Sequence, residues 1–389
     1  MDRDLVVKIS KRGKARVWSG HPWLFVDDLL SRKKELSGEV VRVEDENGKF
    51  MGQAFYSYQS KIALRFLTYE EKEIDESFWE EKIARAIVLR KKIVEKAEAY
   101  RLFFSEADGI PGLILDNYHG HLVMQALTPG VEKLTPLLVE ILKKQLQPES
   151  IISRNDVPVR ELEGLPQKKE VLLGERQDRI EIKEGKIKYR VDLWNGQKTG
   201  AYLDQRENRM AAISYSGEKV LDGFSYQGHF SLHLASSAKS IKAIESSAAA
   251  IDIFKENLTL NSLTNVEAVK GNAFEVLKDL SKGEERFDLI ILDPPPFSPR
   301  RTDKAGAWRG YKEINLRALQ ILKEAGYLMT CCCSYNISED EFLGILNEAA
   351  TDSRRRVTLI EKRMQSQDHP VLLTFPESYY LKCIVLRAG

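Results

Sequence analysis

Cysteine is scarce in this sequence. Only four of the 389 residues are cysteine, and three of them are consecutive, at positions 331 to 333. A disulfide framework needs cysteines that pair along the chain, and a zinc site commonly uses a C-x-x-C spacing that this sequence lacks. His229 and His233 lie four residues apart, but HFSLH lacks the glutamate of a metalloprotease motif. We therefore expect neither disulfide bonds nor a bound metal.

Long apolar runs and a strong net charge are also absent. Runs such as Leu289 to Leu292 fall far short of the roughly 20 residues of a membrane-spanning helix. The first residues carry charges where a secretory signal would need an apolar segment, so we expect a cytoplasmic protein without a membrane partner. The net charge of +1 gives no overall indication of nucleic-acid binding. Any contact with RNA must therefore come from local patches.

One such patch lies at the N-terminus and precedes a run of short strands. Residues 39–67 show three short strands with alternating apolar positions, and Asn47-Gly48 marks the turn between the first two. The sequence therefore predicts a small β-barrel over residues 1–70, with a basic leading segment suited to RNA. Residues 1–20 contain two aspartates and six basic residues, Arg3, Lys8, Lys11, Arg12, Lys14 and Arg16.

The middle of the chain predicts a second domain of mixed α+β structure, over residues 71–185. An amphipathic helix is expected from Glu76 to Ala99. Strand-like segments over residues 112–127, a helix near Val131 to Leu146 and further strands up to about Val191 follow it.

The last part, residues 186–389, predicts an α/β domain. From Lys219 onward, seven short apolar strands alternate with amphipathic helices, which is typical of a doubly wound, mainly parallel sheet. In such sheets the ligand lies beyond the carboxyl ends of the strands. The most unusual residues of this chain fall at those ends, so we expect the functional site there.

The first two of these strands end in a pattern that fits a nucleoside cofactor. The first ends in the glycine-containing turn LDGFSYQG, and the second ends at Glu245, 23 residues after Asp222. A carboxylate about 20 residues after such a turn holds ribose hydroxyls. The turn lacks the full G-x-G-x-x-G that binds a pyrophosphate, so S-adenosylmethionine fits better than a nicotinamide or flavin. Taken alone, the glycines could be turn formers and Glu245 a surface charge.

The fourth strand ends in Asp293–Phe297, with the sequence DPPPF. Three consecutive prolines cannot continue a strand, so this segment, here called the proline lip, should form a rigid edge suited to holding a planar base. The alternative is a stiff loop without a ligand. A basic strip follows the lip and could contact phosphate, favour a thiolate or be a solvated loop. Its members are Arg300, Arg301, Lys304, Arg309 and Lys312.

The fifth strand ends in the three cysteines, which places a thiol beside the proline lip. Strand alternation puts Cys331 and Cys333 on one face and Cys332 on the other. Carbon 5 of cytosine or uracil is a weak nucleophile, but addition of a thiolate at carbon 6 makes it an enamine-like carbon that can accept a methyl group. The base must first leave its stack. The alternative is that all three cysteines are small buried hydrophobic residues.

Several segments together resemble one known family. These segments are HPWLF (His21 to Phe25), GKFMGQAFY, FSEADGIPGLILD (Phe104 to Asp116), GQKTGAYLDQREN (Gly196 to Asn208), LDGFSYQGHF, LDPPPF and TCCCS. In this order they resemble the ribosomal RNA large subunit methyltransferase I family of 23S rRNA cytosine-5 methyltransferases, over essentially the whole chain. The resemblance implies a PUA-type RNA-binding domain over residues 1–70, a mixed central domain over 71–185 and a Rossmann-like class I methyltransferase domain over 186–389.

The resemblance also implies roles for single residues. Cys333 aligns with the nucleophile of the family's T-C-S-C-S motif, and Asp293 would hydrogen-bond the base. This chain departs from the family pattern at Cys332, which replaces a serine, at Tyr335-Asn336, where histidine is often found, and at Asn272, where an acidic residue or serine is common. S-Adenosylmethionine would be bound by Gln205, Arg206, Asp222, Phe224, Ser225, Gly228, Glu245, Asn272 and Asp293.

Two other functions stay open at this point. A methyltransferase for another base atom, such as a guanine nitrogen, could use the same lip without a cysteine. A non-catalytic RNA-binding assembly factor would not bind S-adenosylmethionine at all. The sequence leaves open which nucleotide is modified, whether the substrate is free rRNA or an assembling particle, and whether the protein forms a homodimer.

Overall fold

The computed structural model describes residues 5–297 and 304–389. The chain divides into two compact units, the first made of Met1–Ile182, Val191–Leu203 and Gln367–Ser378, and the second of Lys183–Arg190, Asp204–Ser366 and Tyr379–Gly389. Among the described residues, no helix has the length and apolar character needed to cross a membrane. The same residues contain no group of histidine, cysteine or acidic side chains arranged to hold a metal ion.

The first unit begins with a closed five-stranded sheet. Its elements are β1 (Val6–Lys8), α1 (Lys11–Trp18), β2 (Trp23–Phe25), β3 (Val40–Glu44), β4 (Phe50–Tyr56) and β5 (Ile62–Thr68). The strand order is β1-β3-β4-β5-β2, and a bridge between Ile9 and Leu29 joins the two edges. Closure removes the exposed edges of the sheet, which confirms the small β-barrel predicted from the alternating strands.

Part of the basic N-terminal segment is neutralised by aspartates of the same barrel. Arg12 Nε lies 2.6 Å from Asp28 Oδ1, and Lys14 Nζ lies 2.6 Å from Asp45 Oδ2. These pairs lie far apart in sequence, so the composition of residues 1–20 alone overstates the positive charge of this surface. Lys8 and Lys11 are exposed, and Arg3 lies outside the described residues.

A second five-stranded sheet follows within the first unit. Its strands are β6 (Ala99–Phe104), β7 (Leu113–Tyr118), β8 (His121–Ala126), β9 (Ser150–Asn155) and β10 (Lys168–Leu173), and its helices are α2 (Glu76–Ile93), α3 (Ser105–Asp108), α4 (Pro129–Leu146) and α5 (Val159–Leu162). The strand order is β10-β9-β8-β7-β6, and only the β8/β9 pair is parallel. The predicted helix from Glu76 to Ala99 was therefore too long, because Ala99 begins β6 and pairs with Tyr118 of β7.

The barrel and this second sheet share buried contacts inside the first unit. The rings of Phe55 and Trp79 stack with centroids 5.7 Å apart. Arg65 Nη2 also donates to Glu163 Oε1 at 2.6 Å, and both side chains are buried. Removal of one partner of a buried ion pair strongly destabilises a protein, because the other charge is left buried and unpaired. Removal of the barrel alone would therefore damage the rest of the first unit.

The second unit contains the predicted doubly wound sheet. Its strands are β13 (Lys219–Gly223), β14 (Ser240–Glu245), β15 (Val266–Lys270), β16 (Phe287–Leu292), β17 (Leu322–Cys332), β18 (Val357–Arg363) and β19 (Lys382–Ala388), while β11 (Arg179–Glu184) and β12 (Ile187–Asp192) form a separate two-stranded sheet. The order is β15-β14-β13-β16-β17-β19-β18, with β19 antiparallel to both neighbours. All seven strands predicted from the apolar segments are confirmed.

Helices cover both faces of this sheet. They are α6 (Arg206–Ala212), α7 (His229–Leu234), α8 (Ala248–Leu260), α9 (Ala273–Lys282), α10 (Lys304–Ile321) and α11 (Glu339–Asp352). One core cluster joins Cys332 to residues of α9, α10 and α11, and another joins Cys331 and the partly buried Cys333 to residues of α6 and α7. The predicted alternation of the three cysteines between the two faces is thus confirmed.

Candidate active site

The predicted functional residues lie at one edge of the seven-stranded sheet. Strands β13, β14, β15, β16 and β17 are parallel, so their carboxyl ends meet at that edge. Gly223 at the end of β13 pairs with Ile244 of β14 and with Leu292 of β16. The residues that follow these positions, including Phe224, Glu245 and Asp293, therefore stand side by side.

The turn after β13 has a constrained backbone. Phe224 and Tyr226 adopt positive φ angles of 69° and 50°, and Gly228 has φ 81°. Non-glycine residues in this region are strained and tend to occur at functional sites. At Gly228 a Cβ atom would come within 1.9 Å of the Phe254 ring, so no side chain fits there. Ser225, which is buried, donates its backbone N–H to Ile244 O at 2.9 Å and so ties the turn to β14.

Asp222, the second-last residue of β13, is a buried carboxylate with an unmet acceptor. Its Oδ2 accepts a hydrogen bond from Ser231 Oγ at 2.6 Å, whereas Oδ1 has no partner among the described residues. Burial raises the pKa of Asp222 to about 6; the Ser231 hydrogen bonds lower it in part, and the nearby Glu245 charge raises it. A buried acceptor without a partner is costly, so this site favours a ligand that brings a hydrogen-bond donor or positive charge.

Glu245 is held in a fixed orientation by backbone donors. Oε2 accepts from Tyr226 N at 2.9 Å, and Oε1 accepts from Ser247 N at 2.6 Å. Each carboxylate oxygen can accept a second hydrogen bond, so Glu245 can still bind hydroxyl groups of a ligand. Asn272 is nearby because Gly271 N donates to Glu245 O at 2.9 Å. Asn272 is exposed, and its Oδ1 caps α9 by accepting from Phe274 N at 2.9 Å.

The proline lip is tied to a segment nearly 90 residues earlier in the chain. Gln205 Nε2 donates to Asp293 Oδ1 at 2.9 Å, and Asn208 Nδ2 donates to Gln205 Oε1 at 2.7 Å. Arg363 Nε in turn donates to Asn208 Oδ1 at 2.9 Å. This chain of hydrogen bonds fixes the Asp293 carboxylate. Arg206, the first residue of α6, is buried, and its Nη2 donates to Glu207 Oε1 at 3.3 Å.

Of the four cysteines, only Cys333 is partly exposed. Its Sγ donates to Pro294 O at 3.5 Å, which places the thiol against the proline lip and next to Asp293. Cys331 is buried opposite Cys383, whose hydrogen bond, together with burial, raises the pKa of the Cys331 thiol. Burial also raises the pKa of Cys332. A reactive thiol must be accessible and able to ionise, and Cys333 alone meets the first condition.

The basic strip after the lip is largely paired where it is described. Lys312 Nζ lies 3.0 Å from both Glu348 and Asp352 of α11, and Lys304 is paired with Glu341 of the same helix. Arg309 is exposed. Arg300 and Arg301 lie outside the described residues. The lysines of the strip therefore carry less free positive charge than the sequence suggested.

Sequence reasoning did not single out two buried residues of this site. Asn208 connects Gln205 to Arg363, and Lys382 donates to Ser334 O at 2.9 Å, directly after the cysteines. Asn208 lay within the family-like segment GQKTGAYLDQREN, which was a signal for it. Lys382 directly precedes the apolar run of residues 383–386, so a charge at the start of that run was the available signal.

The seven strands have the order of a class I methyltransferase, which binds a nucleoside cofactor. The two carboxylates near the ends of β13 and β14, Asp222 and Glu245, fit that class. A family model of S-adenosylmethionine-dependent methyltransferases matches residues 161–373, and a model of PUA-like domains matches residues 7–69. S-Adenosylmethionine is thus the cofactor. Asp222 Oδ1, which has no hydrogen-bond partner among the described residues, and the fixed Glu245 carboxylate fit this ligand, because it carries a positive charge and ribose hydroxyls.

Two curated relatives are similar over almost their whole length. Ribosomal RNA large subunit methyltransferase I of Photobacterium profundum is 38% identical over 372 residues, covering 93% of this chain and 94% of the relative. The protein of the same name from Serratia proteamaculans is 38% identical over 376 residues, with 94% and 95% covered. The chain therefore belongs to the ribosomal RNA large subunit methyltransferase I family, as its motifs predicted.

Solved structures support the same fold. A SAM-dependent methyltransferase from Streptococcus mutans superposes with a TM-score of 0.84 at 21% identity, covering 98% of this chain and 100% of that chain. SMU.776, a methyltransferase solved in complex with SAH, has a TM-score of 0.86 at 21% identity with the same coverage. At this identity the similarity concerns the fold alone.

Proposed function

We propose that this chain methylates carbon 5 of a cytosine in 23S rRNA, with Cys333 as the nucleophile and Asp293 hydrogen-bonded to the base. The 3.5 Å contact between Cys333 Sγ and Pro294 O supports the proposal most directly. It holds the only partly exposed cysteine thiol beside the Asp293 carboxylate, at the sheet edge where the parallel strands end. The name of the relatives supports a large-subunit rRNA substrate.

The bound S-adenosylmethionine supplies an electrophilic methyl group. Cys333, as thiolate, adds to carbon 6 of the flipped-out cytosine and thereby makes carbon 5 nucleophilic. Carbon 5 then takes the methyl group. Solvent accepts the proton from the methylated carbon 5, the bond between carbon 6 and sulfur breaks, and the aromatic ring and the Cys333 thiolate are restored. Asp293 accepts a hydrogen bond from the exocyclic amino group of cytosine, and Gln205 keeps the carboxylate in place. Uracil has a carbonyl oxygen at that position, which a carboxylate would repel, so the arrangement favours cytosine.

The cofactor is held by residues of three strand ends. Glu245 would accept hydrogen bonds from the ribose hydroxyls, Asn272 would contact the adenine, and Asp222 would attract the positive charge of the ligand. The backbone of the turn from Phe224 through Ser225 to Gly228 lines the pocket. Gln205, Arg206 and Asp293 would hold the cofactor on the side of the proline lip.

The functional division follows the proposed domains. Residues 1–70 bind RNA, and residues 186–389 catalyse the methyl transfer. Residues 71–185 connect these two domains in the sequence. Lys8 and Lys11 are exposed on the barrel and are the lysines of the N-terminal segment best placed to meet phosphates. Lys14 has a smaller role because Asp45 already neutralises it.

Product analysis tests the proposed function. Purified protein, 23S rRNA and methyl-labelled S-adenosylmethionine should yield 5-methylcytidine on nucleoside mass spectrometry. Cys333→Ala should yield none, whereas Cys332→Ser, which restores the family's usual residue, should stay close to wild type and Cys331→Ala should affect stability more than rate. Labelled methylguanosine would contradict the proposal and support the guanine alternative. Failure to bind S-adenosylmethionine would support an assembly factor instead.

A further inference from the structure

A buried lysine lies next to the cysteines at the end of β17. Lys382, the first residue of β19, is 2% exposed and pairs with Cys332 in the register of the two strands. Its Nζ donates to Ser334 O at 2.9 Å and to Tyr380 O at 3.2 Å. A buried ammonium is costly unless it finds acceptors or an anion. The two carbonyl groups supply acceptors but no full negative charge.

Ser334, which directly follows Cys333, is held from two sides. Lys382 binds its backbone carbonyl, and the Tyr311 hydroxyl lies 2.9 Å from its Oγ. Burial raises the pKa of Tyr311 far above its usual range, so this hydroxyl stays a neutral hydrogen-bonding group. Because Cys333 and Ser334 share a peptide bond, these contacts fix the backbone that carries the thiol.

The charge of Lys382 is coupled to the thiols. Burial lowers the pKa of Lys382, and a thiolate at Cys332 or Cys333 raises it. Interaction between two charges is reciprocal, so the ammonium favours the thiolate in turn. Cys332 is the register partner of Lys382 and shares its face of the sheet, but it is fully buried and therefore not accessible to a base.

Two carboxylates of α11, Glu339 and Glu341, also attract the Lys382 ammonium, but each is already paired with another lysine. Glu339 of α11 is bound by Lys362 Nζ at 2.7 Å and by the Tyr379 hydroxyl at 2.7 Å. Glu341 of the same helix is paired with Lys304. Burial and the contact with Glu339 raise the pKa of Tyr379, so it adds no charge. On the lip, Asp293 opposes a thiolate, although Gln205 donates to it.

We propose that Lys382 is a positioning residue for the nucleophile: it holds the backbone at Ser334, and its charge stabilises the Cys333 thiolate. The inference rests on the proposed use of Cys333. Lys382 would then supply the cation that activates the thiol in a chain that has Tyr335-Asn336 where the family often has histidine.

The pH dependence of Cys333 alkylation tests this inference without cofactor or RNA. Full-length protein is treated with iodoacetamide, an uncharged probe, between pH 6 and 10, and the adduct at Cys333 is quantified by peptide mass spectrometry. Lys382→Met should move the inflection of the rate upward by about one pH unit, whereas Lys382→Arg should keep it near wild type. Lys239→Met is the matched control, since this exposed lysine precedes β14 and pairs with Glu218; its inflection should not change.

An unchanged inflection in a folded Lys382→Met protein would overturn the inference. If that variant does not fold, the pH profile of Cys333 alkylation in the wild-type protein decides. An inflection at or above the pKa of free cysteine, roughly 8.5, would show that the Cys333 thiolate is not stabilised. An inflection clearly below that value, with control variants unchanged, supports it. An RNA adduct at Cys333 combined with an ordinary thiol profile would refute the role of Lys382 and leave the proposed function intact.

Discussion

Replacement of Asp222 by asparagine should remove a pH-dependent loss of stability against unfolding and should weaken cofactor binding. Burial raises the pKa of this carboxylate from 3.8 to about 6. Between those two pH values the folded state holds a proton that the unfolded state has lost, so wild-type stability falls as pH rises through this window. At about 1.4 kcal/mol per pKa unit, the loss amounts to about 3 kcal/mol. Asparagine does not titrate and escapes this loss.

Urea unfolding of both proteins between pH 4 and 8 measures the effect. The free energy of unfolding of Asp222→Asn, minus that of wild type, should grow by about 2.5 kcal/mol from pH 4 to 7 and then level off. Its absolute value includes a cost of about 1–3 kcal/mol for the buried amide donor, so the change with pH is the quantity to compare. A difference that does not vary with pH would refute the reasoning.

Asp288→Asn is the matched control with the opposite sign. Burial alone would raise the pKa of Asp288, but hydrogen bonds from Lys323 and from the backbone of Lys219 lower it overall. This variant should therefore be less stable than wild type at neutral pH, and the difference should shrink as pH falls through the lowered pKa. In calorimetry at pH 7.5, Asp222→Asn should bind S-adenosylmethionine about 10- to 100-fold more weakly, which corresponds to a charge-assisted hydrogen bond of about 1.5–3 kcal/mol.

Two further predictions concern the ligands. Glu245→Ala should weaken S-adenosylmethionine binding by a factor similar to that of Asp222→Asn, because the ribose loses its acceptor; unchanged affinity by calorimetry would mean that the cofactor binds elsewhere. The slope of the logarithm of the rRNA binding constant against the logarithm of the salt concentration should become shallower by about one to two in the double variant Lys8→Met/Lys11→Met. Lys14→Met should not change this slope, since Asp45 pairs with Lys14. Equal slopes in all proteins, measured by filter binding, would show that this face does not contact RNA.

The strands of the methyltransferase sheet could be predicted because each is a short apolar run between polar segments. The end of α2 could not, since residues after Ile93 continue a charged, helix-compatible pattern. Residues Ala99–Phe104 instead form β6, because Leu102 and Phe103 are buried in the sheet and Ala99 pairs with Tyr118. Tertiary pairing overrode local propensity there.

The site could be predicted only where local sequence determines it. The positions of Asp222, Glu245 and the thiol beside Pro294 follow from strand ends that meet at one edge. The contacts of Gln205 with Asp293 and of Lys382 with Ser334 span 88 and 48 residues of sequence, and no periodicity reports them. The pairing of Lys14 with Asp45 was missed for the same reason.

Covalent trapping tests the central claim, that Cys333 attacks carbon 6 of a cytosine, most directly. RNA with 5-fluorocytidine at the target position is incubated with the protein and S-adenosylmethionine. Fluorine cannot leave as a proton does, so the adduct should persist through denaturing electrophoresis, with the RNA attached at Cys333. Cys333→Ala should give no such complex, while Cys332→Ser should trap like wild type. If wild type methylates unmodified RNA but traps none of the fluorinated RNA, the cytosine-5 mechanism is contradicted.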